Sequence, residues 1–221
     1  MKIPVTFLTY RRPEYLKRAL GSFIKMNKNI LNRFFLLLLI QEPDQETEKV
    51  VSSYLSFFSS IYRLPKNIGC AGGYSFIMKK AVAIDCKYII HIQDDWESKE
   101  SLIPYLDEVI EGMDKKPDIG YTRLRSVYES ISKKNRATGK AIKYKRISDN
   151  FTEGNAHFTL NPTIIRKEAV QKMLPITEEL DAMRKYAKLY TVSGHLESNC
   201  FVHIGTERAF TEIKRGKTWV K

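Results

Sequence analysis

Strand-like and helix-like segments alternate through residues 1–97, and this alternation restricts the fold more than any other feature of the sequence. Apolar runs of strand length are followed by turns and by segments whose apolar residues recur at helical spacing. This order implies right-handed crossovers and a mainly parallel sheet with helices on both faces, an α/β fold. The predicted strands are Ile3–Thr9, Arg33–Ile40, Ile61–Leu64 and Tyr88–Ile92. The predicted helices are Pro13–Met26, Glu46–Phe58 and one that follows a glycine-rich turn and ends at Ala83.

The pattern is less regular after residue 97, and one further set of elements is predicted there. The residues 132–145 include six lysines or arginines and a Thr138–Gly139 turn, which indicates an exposed hairpin or a mobile loop. The other predicted elements are helices at Ser101–Met113, at Arg166–Met173 and from Thr177 (with Thr177 as the cap), and strands within Ile119–Val127, His157–Ile165 and Asn199–Ile204. We expect one domain over residues 1–221.

Composition is typical of a globular protein with a sizeable core. Of the 221 residues, 43% are hydrophobic and 28% are charged. The cysteines are odd in number and lack metal-ligand spacing, so we expect reduced thiols in a cytoplasmic protein; they are Cys70, Cys86 and Cys200. Met1 directly precedes the first predicted strand, which predicts that no signal peptide is present. The longest apolar run, Phe34–Ile40, is too short to span a bilayer.

The formal net charge of +12 requires an explanation. Nucleic acid, an anionic membrane surface and a phosphorylated substrate would each favour a basic protein. Lysines spread over helices that face solvent would produce the same total. The charge alone therefore leaves these alternatives open, including peripheral membrane association.

Two adjacent carboxylates follow the fourth predicted strand. Asp94 and Asp95 come directly after the apolar run Tyr88–Ile92 and Gln93. Ionised carboxylates at the end of a buried strand repel each other and are costly to desolvate unless a cation lies beside them. Oxygen ligands of this kind suit Mg²⁺ or Mn²⁺, often shared with substrate phosphates. The alternative is that the pair begins a turn or caps a helix near Ser98.

Two other polar segments lie at the predicted carboxyl edge of the sheet, where open α/β sheets bind ligands. A glycine-rich segment with Asn67, Gly69, Gly72 and Gly73 could hold a phosphate with backbone N–H groups at a helix start, or it could serve close packing. The turn after the first strand carries Thr9, Tyr10, Arg11 and Arg12, which suits diphosphate and base recognition or a solvated basic turn.

Together these segments resemble the GT-A-fold glycosyltransferases, family 2 in particular. The resemblance rests on Pro4–Leu16 with its Thr-Tyr-Arg-Arg-Pro turn, on Asn67-Ile68-Gly69 and on Gln93-Asp94-Asp95-Trp96 in that order. It implies a GT-A fold, with a nucleotide-sugar-binding half over residues 1–97 and an acceptor-binding half over residues 98–221. It implies that Asp94 contacts the ribose or a bridging water and that Asp95 ligates the metal. Gln93 stands where many members carry a third acid of the "DxD" signature.

The same resemblance implies further site residues. The acid that holds the base after the second strand would be Gln41, Glu42 or Asp44, and Glu42 is preferred. The catalytic base would be Glu179 or Glu178, although acids at a helix start are also favoured by the helix dipole. His203 would complete the metal shell, although a lone histidine at a strand end is often only packed or solvated.

The sequence therefore predicts a metal-dependent, inverting glycosyltransferase with Mn²⁺ or Mg²⁺ as cofactor. It would move a sugar from a UDP- or GDP-sugar to a hydroxyl of a glycan, a lipid-linked or a protein acceptor, without nucleic acid as a partner. The first alternative is a sugar nucleotidyltransferase, which the absence of glycine from Thr9–Pro13 disfavours. The second is a basic nucleic-acid-binding module, which would explain the charge and leave Asp94 and Asp95 unexplained.

Overall fold

A computed structural model describes residues 2–125, 133–198 and 200–205 of the chain. The ends of three predicted segments lie outside these ranges: residues 126–127 of the Ile119–Val127 strand, Ser132 of the basic hairpin, and Asn199. No helix within the described ranges is both long and apolar enough to cross a bilayer.

A nine-stranded sheet forms the centre of the protein, in the order β3-β2-β1-β4-β9-β6-β10-β8-β7. A separate two-stranded sheet pairs β11 with β5. The strands are β1 (Ile3–Tyr10), β2 (Phe34–Gln41), β3 (Phe58–Leu64), β4 (Tyr88–Gln93), β5 (Trp96–Ser98), β6 (Ile119–Arg123), β7 (Tyr144–Arg146), β8 (Phe151–Gly154), β9 (Thr163–Arg166), β10 (Val192–Leu196) and β11 (Phe201–His203).

The first four strands are parallel to one another, which confirms the prediction from the strand–helix alternation. β2 lies between β1 and β3, and seven of its eight residues are buried. Its unbroken apolar run is therefore explained by helices that cover both faces of the sheet. The second half of the sheet is mixed, because β9 runs antiparallel between β4 and β6 while β10 runs parallel to β6.

Helices pack on both faces of this sheet. One core lies beneath α1, α3 and α5 and includes Phe7, Phe23 and Leu36. The other lies beneath α4, α6 and α7 and includes Leu39 and Ile89. The helices are α1 (Pro13–Met26), α2 (Ile30–Arg33), α3 (Gln45–Ser52), α4 (Gly69–Ala81), α5 (Ile103–Lys115), α6 (Lys167–Met173) and α7 (Glu179–Leu189), with one 3₁₀ turn at Leu55–Phe57.

The predicted helix Glu46–Phe58 is too long. α3 ends at Ser52, and β3 already begins at Phe58. The hydroxyls of Ser52 and Ser53 donate to the carbonyls of Glu48 and Lys49, at 2.8 and 3.3 Å. Serines that bond back to the helix in this way weaken its continuation, and the pairing of β3 with β2 then determines the conformation of the following residues.

Thr177 does not cap α7, contrary to the prediction. The helix begins at Glu179 with Glu178 at the N-cap. The backbone N–H and the hydroxyl of Thr177 both donate to Asp181 Oδ2, at 3.0 and 3.2 Å. The acid within the first turn therefore bonds back to Thr177, which is the reverse of the predicted arrangement.

The basic segment forms a hairpin, one of the two alternatives that its sequence left open. Lys134 and Ala141 form an antiparallel bridge, and Gly139 takes a φ of +71° in the turn between them. The side chain of Asn135 donates to the carbonyl of Asn155 (2.7 Å), and the side chain of Asn155 donates to that of Ala141 (2.9 Å). These side-chain bonds hold the hairpin against the segment that follows β8.

Asn27 ties the end of α1 to the start of α5, and its removal is expected to destabilise the fold. Its amide donates to Phe23 O (2.8 Å), and its buried Oδ1 accepts from the N–H of Leu102 (2.9 Å). Asn27→Ala should lower the free energy of unfolding by about 2 kcal/mol, because it leaves buried polar groups unpaired. Urea unfolding measures this, with the exposed Asn32→Ala as the control. Equal stability of the two variants would contradict the role of Asn27.

Candidate active site

The carboxyl ends of β1 to β4 meet at one edge of the sheet, because these strands are parallel. Thr9 and Tyr10 are paired with Ile40 and Gln41 at this edge, and Leu8 is paired with Gln93. The topology therefore brings the turn after β1, the loop after β2 and the acid pair after β4 together, as the sequence predicts.

Asp94 is 4% exposed and is held by residues of the first strand and turn. The hydroxyl of Thr9 donates to its Oδ2 at 2.6 Å, Arg12 Nη1 lies 3.4 Å from its Oδ1, and its backbone N–H donates to Leu8 O. Burial raises the pKa of Asp94 to about 6, against the opposing effect of Arg12 and with a further rise from the charge of Asp95. Arg12 and Thr9 only partly offset the desolvation of this carboxyl group.

Asp95 contacts the side chains of Arg12 and His203. Its Oδ2 lies 3.1 Å from Arg12 Nη1 and 3.5 Å from His203 Nε2, and its carbonyl accepts from the N–H of Ile204. Burial raises the pKa of Asp95, but His203 and Arg12 together hold it below its usual value. The other oxygen, Oδ1, is buried and has no hydrogen-bond partner among the described residues.

The short β5–β11 sheet places His203 beside the acid pair. His203 is paired with Trp96, the residue after Asp95, and the two rings lie 4.9 Å apart. A side chain at Gly205 would lie 2.8 Å from Asp95 Oδ2, so only glycine allows this approach. A residue near the end of the described chain is thereby joined to the end of β4.

The acid pair offers a small donor set for a divalent cation. Among the residues that the structure describes, no group of three or more His, Cys, Asp or Glu side chains could hold a metal. Asp95 Oδ2 and His203 Nε2 supply two ligand atoms. The second oxygen of Asp95, Oδ1, has no hydrogen-bond partner among the described residues. This set fits Mg²⁺ or Mn²⁺ of the kind that shares its coordination with substrate phosphates and water.

Arg11 and Glu42 form a second contact between the ends of β1 and β2. Both residues have a φ of +47°, which is uncommon for residues other than glycine and is found at functional sites. Arg11 Nε lies 3.6 Å from Glu42 Oε2, and the guanidinium lies 5.9 Å from the ring centre of Tyr10. The three side chains border the same edge as the acid pair.

Gln41 holds the loop that contains Asn67 and Gly69. Its Oε1 accepts from the N–H of Ile68 (2.9 Å) and its Nε2 donates to Gly69 O (3.3 Å). Asn67 Oδ1 accepts from the N–H of Gly69, whose φ is +75°. The other acid considered with Glu42, Asp44, caps α3 by accepting from the N–H of Thr47 (2.8 Å).

Close packing accounts for the two other glycines of this segment. A Cβ at Gly73 would lie 2.8 Å from Leu8 and 2.9 Å from Gln41, and one at Gly72 would lie 3.2 Å from Ile68. The alternative that the sequence left open, helix packing, therefore has direct support. Contact of Gly72 or Gly73 with a nucleotide stays a prediction.

Glu178 and Glu179 are exposed at the start of α7. The hydroxyl of Ser75 on α4 donates to Ile176 O (3.0 Å) and accepts from Ile176 N–H (2.8 Å), which holds the approach to α7 against the first half of the protein. Desolvation raises the pKa of the Cys70 thiol, and the charges of Glu179, Asp95 and Asp94 raise it further. Glu179 therefore lies in the same electrostatic environment as the acid pair.

Sequence reasoning missed polar residues on the other side of the acid pair. Arg123, at the end of β6, is buried, and Arg125 lies over the Trp96 ring at 5.3 Å. Their only signal in the sequence is two arginines within an apolar strand pattern, which by itself does not indicate a site.

No family model and no curated protein matches this chain. Solved structures do match it. S. aureus TarS 1–349 aligns at a TM-score of 0.60 and 12% identity, covering 97% of this chain and 64% of that chain. The mannosyltransferase PcManGT from Pyrobaculum calidifontis, in complex with GDP-Man and Mn²⁺, aligns at 0.65 and 11%, covering 97% and 60%. TarS 1–349 in complex with UDP-GlcNAc aligns at 0.60 and 13%.

The fold is GT-A. The likeness extends over nearly the whole described chain and agrees with the mostly parallel sheet flanked by helices, which confirms the predicted fold class. The chain spans less than two thirds of the length of the TarS 1–349 and PcManGT chains.

Gln41→Ala should release the Asn67–Gly69 loop without unfolding the protein. The Ile68 N–H loses its acceptor, so its amide hydrogen should exchange about tenfold faster, as expected for the loss of one hydrogen bond. Amide hydrogen exchange measures this. The exposed Gln45→Ala, at the start of α3, is the control, and unchanged exchange at Ile68 in Gln41→Ala would contradict the role of Gln41.

Proposed function

We propose that this protein is a glycosyltransferase that moves a sugar from a nucleoside-diphosphate sugar to an acceptor hydroxyl. One observation carries the proposal: on a GT-A fold, the buried Asp94 and the partly buried Asp95 lie at the carboxyl end of β4 in contact with Thr9, Arg12 and His203. Structural neighbours in complex with UDP, UDP-GlcNAc or GDP-Man support a nucleotide-sugar donor.

The donor would lie across the ends of β1, β2 and β4. Tyr10 and the Arg11–Glu42 pair would contact the base, and Asp94 would contact the ribose. Asn67 and Gly69 would line the donor site from the loop that Gln41 holds. Thr9 fixes one oxygen of Asp94 with a 2.6 Å hydrogen bond, so that carboxylate is oriented before the donor binds. Whether the base is uracil or guanine would depend on the side chains around Glu42.

Asp95 and His203 would hold Mn²⁺ or Mg²⁺ together with the donor diphosphate. The bound cation would neutralise the charge that develops on the departing diphosphate. Arg12 contacts both carboxylates here, so it stabilises the acid pair when no divalent cation is bound. If a cation bound to Asp95, the guanidinium of Arg12 would contact a diphosphate oxygen instead, a group that arginine recognises well.

Glu179 or Glu178 would take the proton of the acceptor hydroxyl, and attack from the face opposite the diphosphate would invert the anomeric centre. Both are exposed at the start of α7 and thus accessible to an acceptor. Asp181 is less available, because Lys185 Nζ lies 2.9 Å from its Oδ2 and Thr177 donates to the same oxygen. The charge of Glu179 raises the pKa of the Cys70 thiol, as the charges of Asp95 and Asp94 do.

The contacts of the acid pair help to separate a glycosyltransferase from the two alternative functions, a nucleic-acid-binding module and a sugar nucleotidyltransferase. A nucleic-acid-binding module gives no reason for a buried and a partly buried acid side by side at the end of a central strand. A sugar nucleotidyltransferase shares the sheet and the metal chemistry, so donor chemistry must separate it from a glycosyltransferase. Contact of the exposed basic hairpin with an anionic membrane stays a prediction.

Donor hydrolysis tests the proposed function. In a screen of UDP- and GDP-sugars with Mn²⁺ or Mg²⁺, we expect one donor to release sugar and nucleoside diphosphate, with loss of both binding and release in chelator. Asp95→Asn should reduce release at least about 100-fold with the fold retained, because it removes a charge that holds the cation.

Asp107→Asn, an exposed acid on α5 that pairs with Arg33, is the matched control. Full activity of Asp95→Asn in chelator would show that metal chemistry through this pair is wrong. Release of pyrophosphate from a nucleoside triphosphate and a sugar phosphate would instead identify a nucleotidyltransferase.

Glu179→Gln should spare donor binding and slow transfer to an acceptor by about 100- to 10,000-fold, because a general base is lost. Titration calorimetry with the donor and product formation with an acceptor found in a glycan screen separate the two effects. Glu178→Gln is the matched control. If Glu178→Gln alone loses transfer, then Glu178 is the base; if neither loses it, then the base lies elsewhere.

A further inference from the structure

A second polar cluster crosses the second half of the sheet, from β4 through β9 and β6 to β10. The register pairs His91 with Thr163, Thr163 with Arg123, and Arg123 with His195, so these four side chains form a row on one face of the sheet. Each of the four residues has one polar atom that is buried without a hydrogen-bond partner in the described structure: His91 Nε2, Thr163 Oγ1, Arg123 Nε and His195 Nδ1. Buried polar groups usually have hydrogen-bond partners, so the unpartnered atoms of this row are candidates for bonds to a polar ligand.

Arg123 is the centre of this row. It is 1% exposed, and its Nη2 donates to the carbonyl of His157, which also accepts from the hydroxyl of Tyr121 at 2.5 Å. No carboxylate among the described residues forms a salt bridge with it. A buried guanidinium is costly unless an anion balances its charge.

Two other arginines approach the same place from different segments. Arg125 follows β6 and lies over the Trp96 ring, and Arg136 lies in the basic hairpin, where its backbone N–H donates to His157 Nδ1 at 3.5 Å. The pKa of His157 is lowered to about 4, first by desolvation and then by Arg123, Arg136 and Arg125. Three guanidinium groups thus act on one buried histidine.

The cluster lies on the catalytic edge. β6 and β10 run parallel to each other, and β6 pairs antiparallel with β9, which pairs antiparallel with β4. The carboxyl ends of β6 and β10 therefore point to the same edge as Asp94 and Asp95. Trp96 connects the two places, because it follows Asp95 directly and lies beneath Arg125.

We propose that Arg123, Arg125 and Arg136, with His157, Thr163 and His195, form an anion subsite that binds a phosphate group of the acceptor. This inference rests on the proposed function, because it takes the catalytic edge as the place of transfer. Arginine forks match phosphate oxygens in bidentate geometry, and the Thr163 hydroxyl and a ring N–H of His195 could add donors. The donor diphosphate is a poor candidate, because Arg12 and the acid pair lie at the end of β4, whereas Arg123 lies at the end of β6, two strands away in the sheet.

Inorganic phosphate is the probe for this subsite, and Trp96 is its reporter. The chain has two tryptophans, so Trp219→Phe leaves Trp96 as the only tryptophan, which can be excited selectively over tyrosine. We expect a saturable change of fluorescence with phosphate that sodium chloride at equal ionic strength does not produce. The change should persist in saturating UDP with Mg²⁺, which occupies the diphosphate site.

Variants locate the binding. Arg136→Gln, at an exposed position that should not disturb folding, should weaken phosphate binding about tenfold or more, as expected for loss of a charge-assisted hydrogen bond. Arg123→Lys keeps the buried charge without the fork and should weaken it similarly. Arg33→Gln, which removes an exposed arginine at the opposite edge of the sheet, should bind as the parent protein does. Equal affinity in all three variants, or competition by UDP, would overturn the subsite.

Competition by larger ligands identifies the source of the phosphate. Displacement by glucose 6-phosphate supports a phosphorylated glycan, and displacement only by phosphatidic-acid vesicles supports a lipid phosphate. Stronger displacement by glucuronate would overturn phosphate in favour of a carboxylate. Donor hydrolysis without phosphate binding would refute the subsite alone, whereas phosphate binding without donor hydrolysis would refute the proposed function and with it the acceptor role.

Discussion

The placing of two adjacent carboxylates, one buried and one partly buried, at the end of β4 is the constraint on which the rest of the structure depends. Neither acid can remain ionised there unless cations and donors surround it. The structure supplies Thr9 from β1, Arg12 from the turn before α1 and His203 from β11. These groups come from opposite ends of the described chain, so the site is complete only when both halves of the fold have formed. Gly205 permits the last of these contacts, since any side chain there would overlap Asp95.

The sequence predicts the first half of the fold well because β1, β2 and β4 are mostly apolar runs that their neighbours bury on both faces. β10 was missed because Val192–Leu196 contains a serine, a glycine and a histidine and has no such run. Its conformation follows from pairing with β6 on one side and β8 on the other. The end of α3 was misplaced for a related reason, since the pairing of β3 with β2 outweighs the helical spacing of residues before Phe58.

The candidate site likewise contains some residues that the sequence predicts and others that it does not. Asp94, Asp95 and the Thr9–Arg12 turn can be predicted because each lies directly after a strand, so local order in the sequence places it at the edge. Gln41 was weighed as a contact to the base, yet its side chain holds the neighbouring loop. Arg123 and His157 could not be predicted, because His157 follows Tyr121 by 36 positions and Arg123 by 34, and the two residues share its carbonyl only in the folded sheet. Their proximity is a property of the register, which a single sequence does not specify.

The distribution of charge along the catalytic edge can be explained by electrostatic repulsion between two bound anions. Arg12 is balanced by two acids, whereas Arg123 and Arg136 have no described carboxylate partner, so the excess positive charge of the edge lies at the end of β6 and in the basic hairpin. If a nucleotide-sugar diphosphate and a phosphorylated acceptor bind side by side, unit charges about 10 Å apart repel by about 2 kcal/mol at an effective dielectric constant near 20. One cationic group cannot offset both anions without drawing them together. Separate cation sets for donor and acceptor remove this repulsion, and they leave the acid pair free to hold a metal on the donor side alone.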